Sequence, residues 1–358
     1  MSSSAKVKLV LGNGQEFYGT GFGASCPAVG EIVFNTSVVG YQEIISDPAY
    51  AGQIVVMTYP PVGQYGITDE DYESRTPRLA GLVVRECSTI PSNFRFTKTL
   101  SEELEEHSIP CISGLDTRMI AHIIRTLGPM MAAVVPAEMP LGEALAMIGN
   151  CKREIHPVAE VSCRKRWFSR TPHHRFDVVI LDCGVKHSTV EALNERGCNV
   201  TVVPFDSTVS EIEAFNPDGV LVSGGPGDPG ELKEIAELIN GLKGRCAIGG
   251  TGLGHLLIAL SYGAKVEKMK CGHYGDMPVR NVCSGRIFTA MHSCHYCVDA
   301  QSARDAGLEI TQLNVVDSMV EGLLKREDRV FTAAFCPEGA PGPQESGFFD
   351  EFVKIMED

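Results

Sequence analysis

The sequence predicts an α/β protein in which an N-terminal mixed α+β domain is followed by a doubly wound α/β domain. After Phe176 the chain repeats four times a unit of apolar strand, turn and amphipathic helix, which is typical of parallel strands covered by helices on both faces. Before this point the apolar runs are short, are separated by turn signals and are interrupted by single helices. The expected boundaries are residues 1–150 for the first domain, 151–176 for a linker and 177–358 for the second domain.

The first domain is expected to contain strands, a short helix and two amphipathic helices. The apolar runs that suggest strands are "VKLVL", "EFYGTGFGA", "GEIVFNTSVVGYQEIISDP", "QIVVMTYP" and "LAGLVVREC". The short helix falls near "YQEIISDPAY", and the amphipathic helices are "LSEELEEHSI" and "DTRMIAHIIRTLG". In the last of these, Asp116 is the expected N-cap and Gly128 marks the end.

The second domain is expected to alternate strands with helices in four successive pairs. The pairs are "DVVILDCG" with "KHSTVEALNERG", "NVTVVPF" with "STVSEIEAFN", "DGVLVSGG" with "GELKEIAELINGL", and "RCAIGG" with "GHLLIALSYG". In such a sheet, ligands bind beyond the carboxyl ends of the strands.

Composition and charge exclude several classes of protein. With 44% hydrophobic and 21% charged residues, the chain resembles globular rather than disordered or fibrous proteins. The net charge of −14 argues against nucleic acid and membrane surfaces as partners, because both are polyanionic. The chain has no long apolar run and no signal-like start, so a cytoplasmic protein is expected. The 13 cysteines lack the spacing of a disulfide scaffold, so most are expected to be reduced thiols in cores, among them Cys183, Cys198 and Cys246.

The segment from Cys151 to Phe176 is strongly basic in an otherwise acidic chain. Seven cations face only Glu154 and Glu160; they are Lys152, Arg153, Arg164, Lys165, Arg166, Arg170 and Arg175. The segment is interpreted as a solvated linker, or alternatively as a patch for an acidic partner surface. Nucleic acid is disfavoured by the acidic remainder.

Three glycine-rich segments follow strands of the second domain: "VSGGPGDPGE" at 222–231, "IGGTGLGHLLIALSYGAK" at 248–265 and "FCPEGAPGP" at 335–343. The second has the strand, tight turn and helix start of a nucleophile elbow, which presents one side chain beside free helix N–H groups. The apex of this turn is a glycine.

In order and spacing, these three segments resemble the class I glutamine amidotransferase domain. The first half, with "GEIVFNTSVVGYQEIISDPAY", "QIVVMTYPPVGQYG", "PSNFRF" and "GLDTRMIAHIIR", resembles the small subunit of carbamoyl phosphate synthetase. The resemblance covers essentially the whole chain. It implies a large synthetase subunit as partner, which receives ammonia from glutamine and makes carbamoyl phosphate for pyrimidine and arginine synthesis. No cofactor or metal is expected in this chain, because ATP, bicarbonate and metal ions belong to the large subunit.

The resemblance places the family's nucleophile and general base on residues that cannot perform the chemistry. The family's elbow Gly-Ile-Cys-Leu-Gly-His-Gln corresponds to residues 250–256, so the nucleophile position is Gly252. The family's His-Pro-Glu corresponds to Cys336-Pro337-Glu338, which removes the general base and keeps the orienting carboxylate of Glu338. Thr251 is a neighbouring hydroxyl, but a shift of one residue aims its side chain away from the pocket.

The positions that bind glutamine in the family are partly changed. Ser37, Gly225, Gly227 and Leu253 match, and Leu256 replaces a glutamine. The family's Gln-Asn-His-Gly-Phe corresponds to residues 292–296, so Ser293 replaces an asparagine, His295 replaces a glycine and Tyr296 takes the aromatic position. The glutaminase is therefore expected to be inactive.

Three functions stay open at this point. The chain could dock on the large subunit without glutaminase activity, or it could hydrolyse glutamine with another thiol. Alternatively, it could be a regulatory partner or a pseudo-amidotransferase with a different ligand. For that last case zinc is considered, with candidate ligands His255, Cys294, His295, Cys297 and Cys336. The competing interpretation of these cysteines is that they are small apolar fillers.

Overall fold

A computed structural model describes residues 5–59, 61–151, 156–339 and 346–357. Lys152, Arg153 and Glu154 of the basic segment, and residues 340–343 of the third glycine-rich segment, lie outside the described residues. The chain divides into two units: unit 1 holds residues 1–154 and 270–274, and unit 2 holds residues 155–269 and 275–358. The expected α/β class, with an N-terminal mixed domain followed by a doubly wound α/β domain, is confirmed.

Unit 1 is built on a closed seven-stranded barrel. Its strands are β1 (Lys6–Leu11), β2 (Glu16–Gly23), β3 (Ala28–Asn35), β4 (Gln53–Met57), β5 (Gly81–Val83), β6 (Pro110–Ser113) and β7 (Met130–Pro136). They follow the order β1-β2-β6-β5-β4-β3-β7, and the antiparallel pairing of β1 with β7 closes the barrel. The pairs β3–β4, β4–β5 and β5–β6 are parallel. The strand segments expected from the sequence are present, while β6, β7 and the closure were not foreseen.

The helices described in unit 1 are α1 (Tyr41–Ser46), α2 (Leu100–Glu106), α3 (Thr117–Leu127) and α4 (Leu141–Asn150). Two of these four, α2 and α3, begin where a side chain accepts a hydrogen bond from one of their first N–H groups. Thr99 and Glu102 form a reciprocal capping box on α2. Asp116 accepts a hydrogen bond from the Met119 N–H at the start of α3, and Gly128 ends that helix with a φ of 90°. The sequence-based expectation for α3 is therefore confirmed at both ends.

The interior of the barrel and one side of α3 share a single apolar core. Leu9, Ile32, Ile54 and Val134 from four strands are buried with Ile120 of α3. This apolar burial is the main source of stability for the unit.

A buried carboxyl group in α1 makes the stability of unit 1 depend on pH. Burial, together with a smaller effect of the neighbouring carboxylates of Asp71 and Glu73, raises the pKa of Glu43 from 4.5 to about 7. Between these two pH values folded Glu43 keeps a proton that the unfolded chain has released, so the free energy of unfolding falls as the pH rises. The loss is at most about 3 kcal/mol by pH 8.

We therefore expect Glu43→Gln to stabilise the protein at pH 8 and to have little effect at pH 5, because the amide never ionises. Urea unfolding followed by circular dichroism at the two pH values measures this difference. Glu70→Gln on the surface is the matched control, since the Glu70 side chain is 71% exposed. An equal effect of Glu43→Gln at both pH values would contradict the assignment.

Unit 2 is built on a ten-stranded mixed sheet with flanking helices. Its helices are α5 (Pro157–Val161), α6 (His187–Glu195), α7 (Val209–Glu213), α8 (Lys233–Leu242), α9 (Leu253–Ser261), α10 (Ala300–Asp305) and α11 (Phe348–Glu357). Its strands are β8 (Trp167–Ser169), β9 (Phe176–Asp182), β10 (Cys198–Pro204), β11 (Gly219–Val222), β12 (Ala247–Thr251), β13 (Val266–Asn281), β14 (Ile287–Val298), β15 (Glu309–Asn314), β16 (Val320–Lys325) and β17 (Val330–Ala333). The sheet order is β14-β13-β15-β16-β17-β12-β11-β9-β10-β8.

The two faces of this sheet bury different helices. Along β9, Val178 and Ile180 point into a core that includes residues of α6 and α11. The alternate residues Val179 and Leu181 join a second core with α7, α8 and α9. Because successive side chains of a strand point to opposite faces, helices cover both sides. Strands β10, β9, β11, β12 and β17 run parallel, as a doubly wound sheet requires.

The segment expected to be a linker contributes structure to unit 2. Val158 of α5 is fully buried, and β8 pairs antiparallel with β10 at one edge of the sheet. The Asp182 side chain accepts a hydrogen bond of 2.7 Å from the Cys163 N–H. The described part of this segment is therefore packed and hydrogen-bonded.

None of the 13 cysteines, all of which lie in the described part of the chain, forms a disulfide bond. Cys183, Cys198 and Cys246 are buried, as expected, together with Cys111. The expectation that most cysteines lie in cores is wrong, because the other nine are exposed or half-buried. Among the described residues, no helix is both long enough and apolar enough to cross a membrane.

Candidate active site

The elbow between β12 and α9 has the backbone geometry that a nucleophile elbow requires. Gly252 lies at the N-cap of α9 with φ 51° and ψ −113°. Its N–H donates a hydrogen bond of 2.9 Å to the Ala333 carbonyl at the end of β17. Residues with a Cβ rarely adopt this conformation, whereas glycine adopts it readily. The turn is therefore kept without the side chain that it presents in the family.

The space in front of the elbow is open at Gly252 and closed at its neighbours. A Cβ built on Gly252 would meet only the Gly224 Cα, at 3.4 Å. A Cβ on Gly250 would lie 2.5 Å from Ile258, and one on Gly254 would lie 2.1 Å from the Val222 carbonyl oxygen. Packing therefore demands glycine on both sides of the apex, whereas only the backbone conformation favours glycine at the apex itself.

This geometry predicts that Gly252→Ala destabilises unit 2 by about 1–3 kcal/mol through backbone strain alone. Gly263 is a matched control, since its φ is +85° and a Cβ there would meet nothing within 4 Å. Urea unfolding of the two alanine variants should give similar losses. A far larger loss for Gly252→Ala would show that the apex has no room.

Thr251 does not offer a replacement nucleophile. It is buried, and its hydroxyl oxygen accepts a hydrogen bond of 3.1 Å from the Gly224 N–H. The hydroxyl therefore ties the end of β12 to the loop after β11. This placement agrees with the expectation that a shift of one residue turns the side chain away from the apex.

The loop after β11 needs its glycines for contacts inside unit 2. A Cβ on Gly225 would lie 2.0 Å from the Cys183 carbonyl oxygen. Gly227 has a φ of +99°, and a Cβ there would lie 2.6 Å from the His156 ring. Packing alone explains both glycines, so their presence is not evidence that glutamine binds.

Glu338, which the resemblance assigns as the orienting carboxylate, has partners in α6 and at the N-cap of that helix. Thr189 donates a hydrogen bond of 2.6 Å from its hydroxyl to Glu338 Oε1, and Lys186 Nζ lies 3.0 Å from Oε2. All three residues are buried. The cation and the hydroxyl compensate the negative charge, so Glu338 is held in a buried ion pair. Cys336, at the position that corresponds to the family's base, is half-buried. Its N–H donates a hydrogen bond of 2.9 Å to the Met291 carbonyl oxygen.

The position of the family's glutamine side chain on α9 is part of an apolar core. Leu256 is 4% exposed and packs in a cluster with Val298 and Leu323, against which Tyr296 also packs. A glutamine side chain at position 256 would lose its hydrogen bonds to water and would be surrounded by apolar side chains in this cluster. Ser293, His295 and Tyr296 are half-buried on β14, and Leu253 is buried at the start of α9.

Ser37, the remaining position assigned to glutamine binding, belongs to unit 1. Its N–H donates a hydrogen bond of 2.7 Å to the Asn35 side chain, whose amide group donates 3.0 Å to the Tyr50 hydroxyl. The Ser37 hydroxyl is buried and has no hydrogen-bond partner among the described residues.

A buried polar network in unit 2 was not foreseen from the sequence. His292 Nδ1 lies 2.9 Å from the Ala290 carbonyl oxygen, and Nε2 lies 2.9 Å from Glu321 Oε2. The Asn314 side-chain amide donates a hydrogen bond of 3.0 Å to the other carboxylate oxygen of Glu321. These partners come from β14, β15 and β16, which meet only in the folded sheet.

His255 is too deeply buried to act as a base for an exposed group. Its side chain is 0% exposed, and Nδ1 lies 2.8 Å from the Thr332 hydroxyl. Burial lowers the pKa of His255 to about 4, although the charge of Glu321 acts in the opposite direction. The imidazole is therefore neutral at pH 7.

The zinc alternative gains no support from the cysteines of β14. Among the described residues, none of Cys294, His295, Cys297 and Cys336 belongs to a group of three or more His, Cys, Asp or Glu side chains with converging ligand atoms. His255 belongs to no such group either. Burial raises the pKa of Cys297 to about 11, which disfavours the thiolate that a metal would bind.

Comparisons with known proteins agree with the two units. Residues 9–134 match the family model described as carbamoyl-phosphate synthase small chain, CPSase domain. Residues 179–356 match the model of class I glutamine amidotransferases.

Curated relatives match over nearly the full length. A carbamoyl phosphate synthase small chain of Staphylococcus epidermidis is 43% identical over 355 residues, which is 99% of this chain and 96% of the relative. One from Fusobacterium nucleatum is 40% identical and covers 98% of each chain. The carbamoyl phosphate synthase pyrimidine-specific small chain of Bacillus subtilis is 39% identical, with 98% of this chain and 96% of the relative covered. The chain therefore belongs to the carbamoyl phosphate synthase small chain family.

Proposed function

We propose that this chain docks on a carbamoyl phosphate synthase large subunit and does not itself hydrolyse glutamine. The observation that carries the proposal is the elbow, whose backbone is kept while its apex is Gly252. The cysteine at the base position and the ion pair of Glu338 with Lys186 support it. A local loss at the apex alone would leave the rest of the catalytic set in place, whereas here nucleophile and base are both replaced.

The missing thiol removes the covalent step. In the family reaction the thiolate attacks the amide carbon, ammonia leaves, and water then hydrolyses the glutamyl thioester. Gly252 supplies no sulfur atom, and the neighbouring Thr251 hydroxyl oxygen is engaged with the Gly224 N–H. The nitrogen for carbamoyl phosphate therefore comes from free ammonia in this proposal.

The proposal assigns the remaining chemistry to the large subunit. ATP, bicarbonate and metal ions bind there, and the small chain carries no cofactor. The complex works in the cytoplasm and serves pyrimidine and arginine synthesis. The names of the relatives support the partner, since a small chain implies a large one.

Reconstitution with the large subunit of the same organism tests the proposal. The two chains should co-elute at micromolar concentration, and the complex should make carbamoyl phosphate from ammonium and ATP but not from glutamine. The control is an intact relative whose small chain has the cysteine and the histidine naturally, assembled with its own large subunit. It should support synthesis from both nitrogen sources. Failure to co-elute, or a glutamyl adduct on any cysteine in an intact mass spectrum, would overturn the proposal.

A further inference from the structure

A cluster of cations flanks the edge strand β8 of unit 2. Arg164, Lys165, Arg166 and Arg170, here called the basic edge, are all exposed. The chain as a whole carries 45 acidic and 31 basic side chains, so a cluster of four cations is unusual for its composition. Within the part of the chain that the structure describes, Arg164, Lys165 and Arg166 form no ion pair, and Arg170 lies 3.9 Å from Asp177. Of the four cations, only Arg170 therefore has a carboxylate within ion-pair distance in the described chain, and the charge of Arg166 also acts on Glu211.

Two arginines of the basic edge are held against aromatic rings. The Arg170 guanidinium lies 5.4 Å from the centre of the Phe168 ring, and that of Arg166 lies 5.5 Å from the Phe215 ring. The two rings meet edge to face with centroids 6.3 Å apart. Stacking limits the freedom of a guanidinium and leaves its N–H groups available to carboxylates, so less entropy is lost on binding.

An exposed aromatic side chain accompanies these cations. Phe168 is 48% exposed on β8, and β8 pairs with β10 on one side and stands last in the sheet order. Arginine and aromatic residues are enriched at protein interfaces and provide most of their binding energy. Cations also protect open sheet edges from aggregation, which is the alternative explanation of the cluster.

We propose that the basic edge is the surface on which a carboxylate-rich face of the large subunit docks. This inference rests on the proposed function. It specifies which surface of unit 2 contacts the large subunit and that this surface is positively charged. A protein partner fits better than nucleic acid, because the net charge of −14 repels a polyanion over a long range. A limited patch of carboxylates on a protein can bind through short-range contacts alone, and the four cations and Phe168 provide such contacts.

Charge reversal at the basic edge tests the inference. The variant Arg164→Glu/Lys165→Glu/Arg166→Glu should bind the large subunit at least about 30-fold more weakly, since close charge pairs at interfaces couple by more than about 1 kcal/mol each. The matched control, Lys233→Glu/Lys265→Glu/Lys354→Glu, makes the same change in net charge at exposed lysines of unit 2. It should bind within about 3-fold of the unchanged chain.

Further measurements on the complex separate the outcomes. Phe168→Ser, which leaves every charge in place, should also weaken binding, and the affinity of the unchanged chain should fall more steeply with salt than that of the charge-reversed variant. Equal affinity of all variants would overturn the inference and leave the proposed function standing, with the cations as protection of an open edge. An equal loss in the charge-reversed variant and its control would also overturn it. If the unchanged chain fails to bind, the proposed function fails too.

Competition with duplex DNA distinguishes the other class of partner. A duplex oligonucleotide should not displace the large subunit at physiological salt. Displacement that depends on Arg164, Lys165 and Arg166 would contradict a protein partner.

Discussion

We expect glutamine hydrolysis to stay at background in Gly252→Cys and to rise at least about 100-fold above that variant when Cys336→His is added. A thiol at the apex is a weak nucleophile until a base removes its proton, and a positioned base contributes about 10²–10⁴ in rate. Room for the new side chain exists, because a Cβ at Gly252 meets only Gly224. The measurement is glutamate release by the purified variants.

The double variant is still expected to be far slower than an intact family member. Glu338 is engaged with Thr189 and Lys186, so it does not stand free to orient an imidazole at position 336. Leu256 also lies in an apolar cluster where the family has a glutamine. Gly252→Ala/Cys336→His is the matched control, with the same backbone strain and no thiol. Equal activity of the single cysteine variant and the double variant would contradict the role assigned to the base.

Lys186→Met should lower the free energy of unfolding by about 3–5 kcal/mol, since it leaves the Glu338 carboxylate buried without its cation. The Lys186 and Glu338 side chains are only 9% and 2% exposed, so water cannot replace the lost partner. Adding Glu338→Gln to this variant should recover part of the loss, because the amide carries no charge. Urea unfolding of the unchanged chain and of these two variants at pH 7 measures the differences.

An exposed ion pair of the same unit provides the comparison. Arg175 and Glu357 lie 2.6 Å apart, with side chains 57% and 50% exposed. Arg175→Met should cost less than about 1 kcal/mol, as surface pairs usually do. If Lys186→Met costs no more than Arg175→Met, the ion pair does not stabilise the site.

The sequence allowed the repeated strand and helix units of the second domain to be predicted because their period is local. Strands β9 to β12 and helices α6 to α9 follow from apolar runs that need no knowledge of distant residues, whereas the parallel strand β17 was not foreseen. The closure of the unit 1 barrel could not be predicted, because it depends on pairing β1 with β7, which are far apart in the chain. Strand β8 was missed since its three residues lie in a basic segment typical of a linker.

The resemblance to the amidotransferase family proposes where the candidate site lies, but the contacts of the site could not be predicted from the sequence. That resemblance assigns Gly252 to the nucleophile position and Cys336 to the base position. The ion pair of Glu338 with Lys186 does not, because the two residues lie in different motifs and meet only after folding. The same holds for the contact between His292 and Glu321, which joins β14 to β16.

The most direct test of the central claim is the origin of the nitrogen in carbamoyl phosphate. The reconstituted complex is supplied with amide-¹⁵N-labelled glutamine and unlabelled ammonium in the same reaction, and the product is analysed by mass spectrometry. Because Gly252 provides no sulfur atom for the covalent step, we predict product that carries only the unlabelled nitrogen of ammonium. Incorporation of ¹⁵N above the level that spontaneous deamidation of glutamine supplies would show that the chain hydrolyses glutamine and would contradict the account.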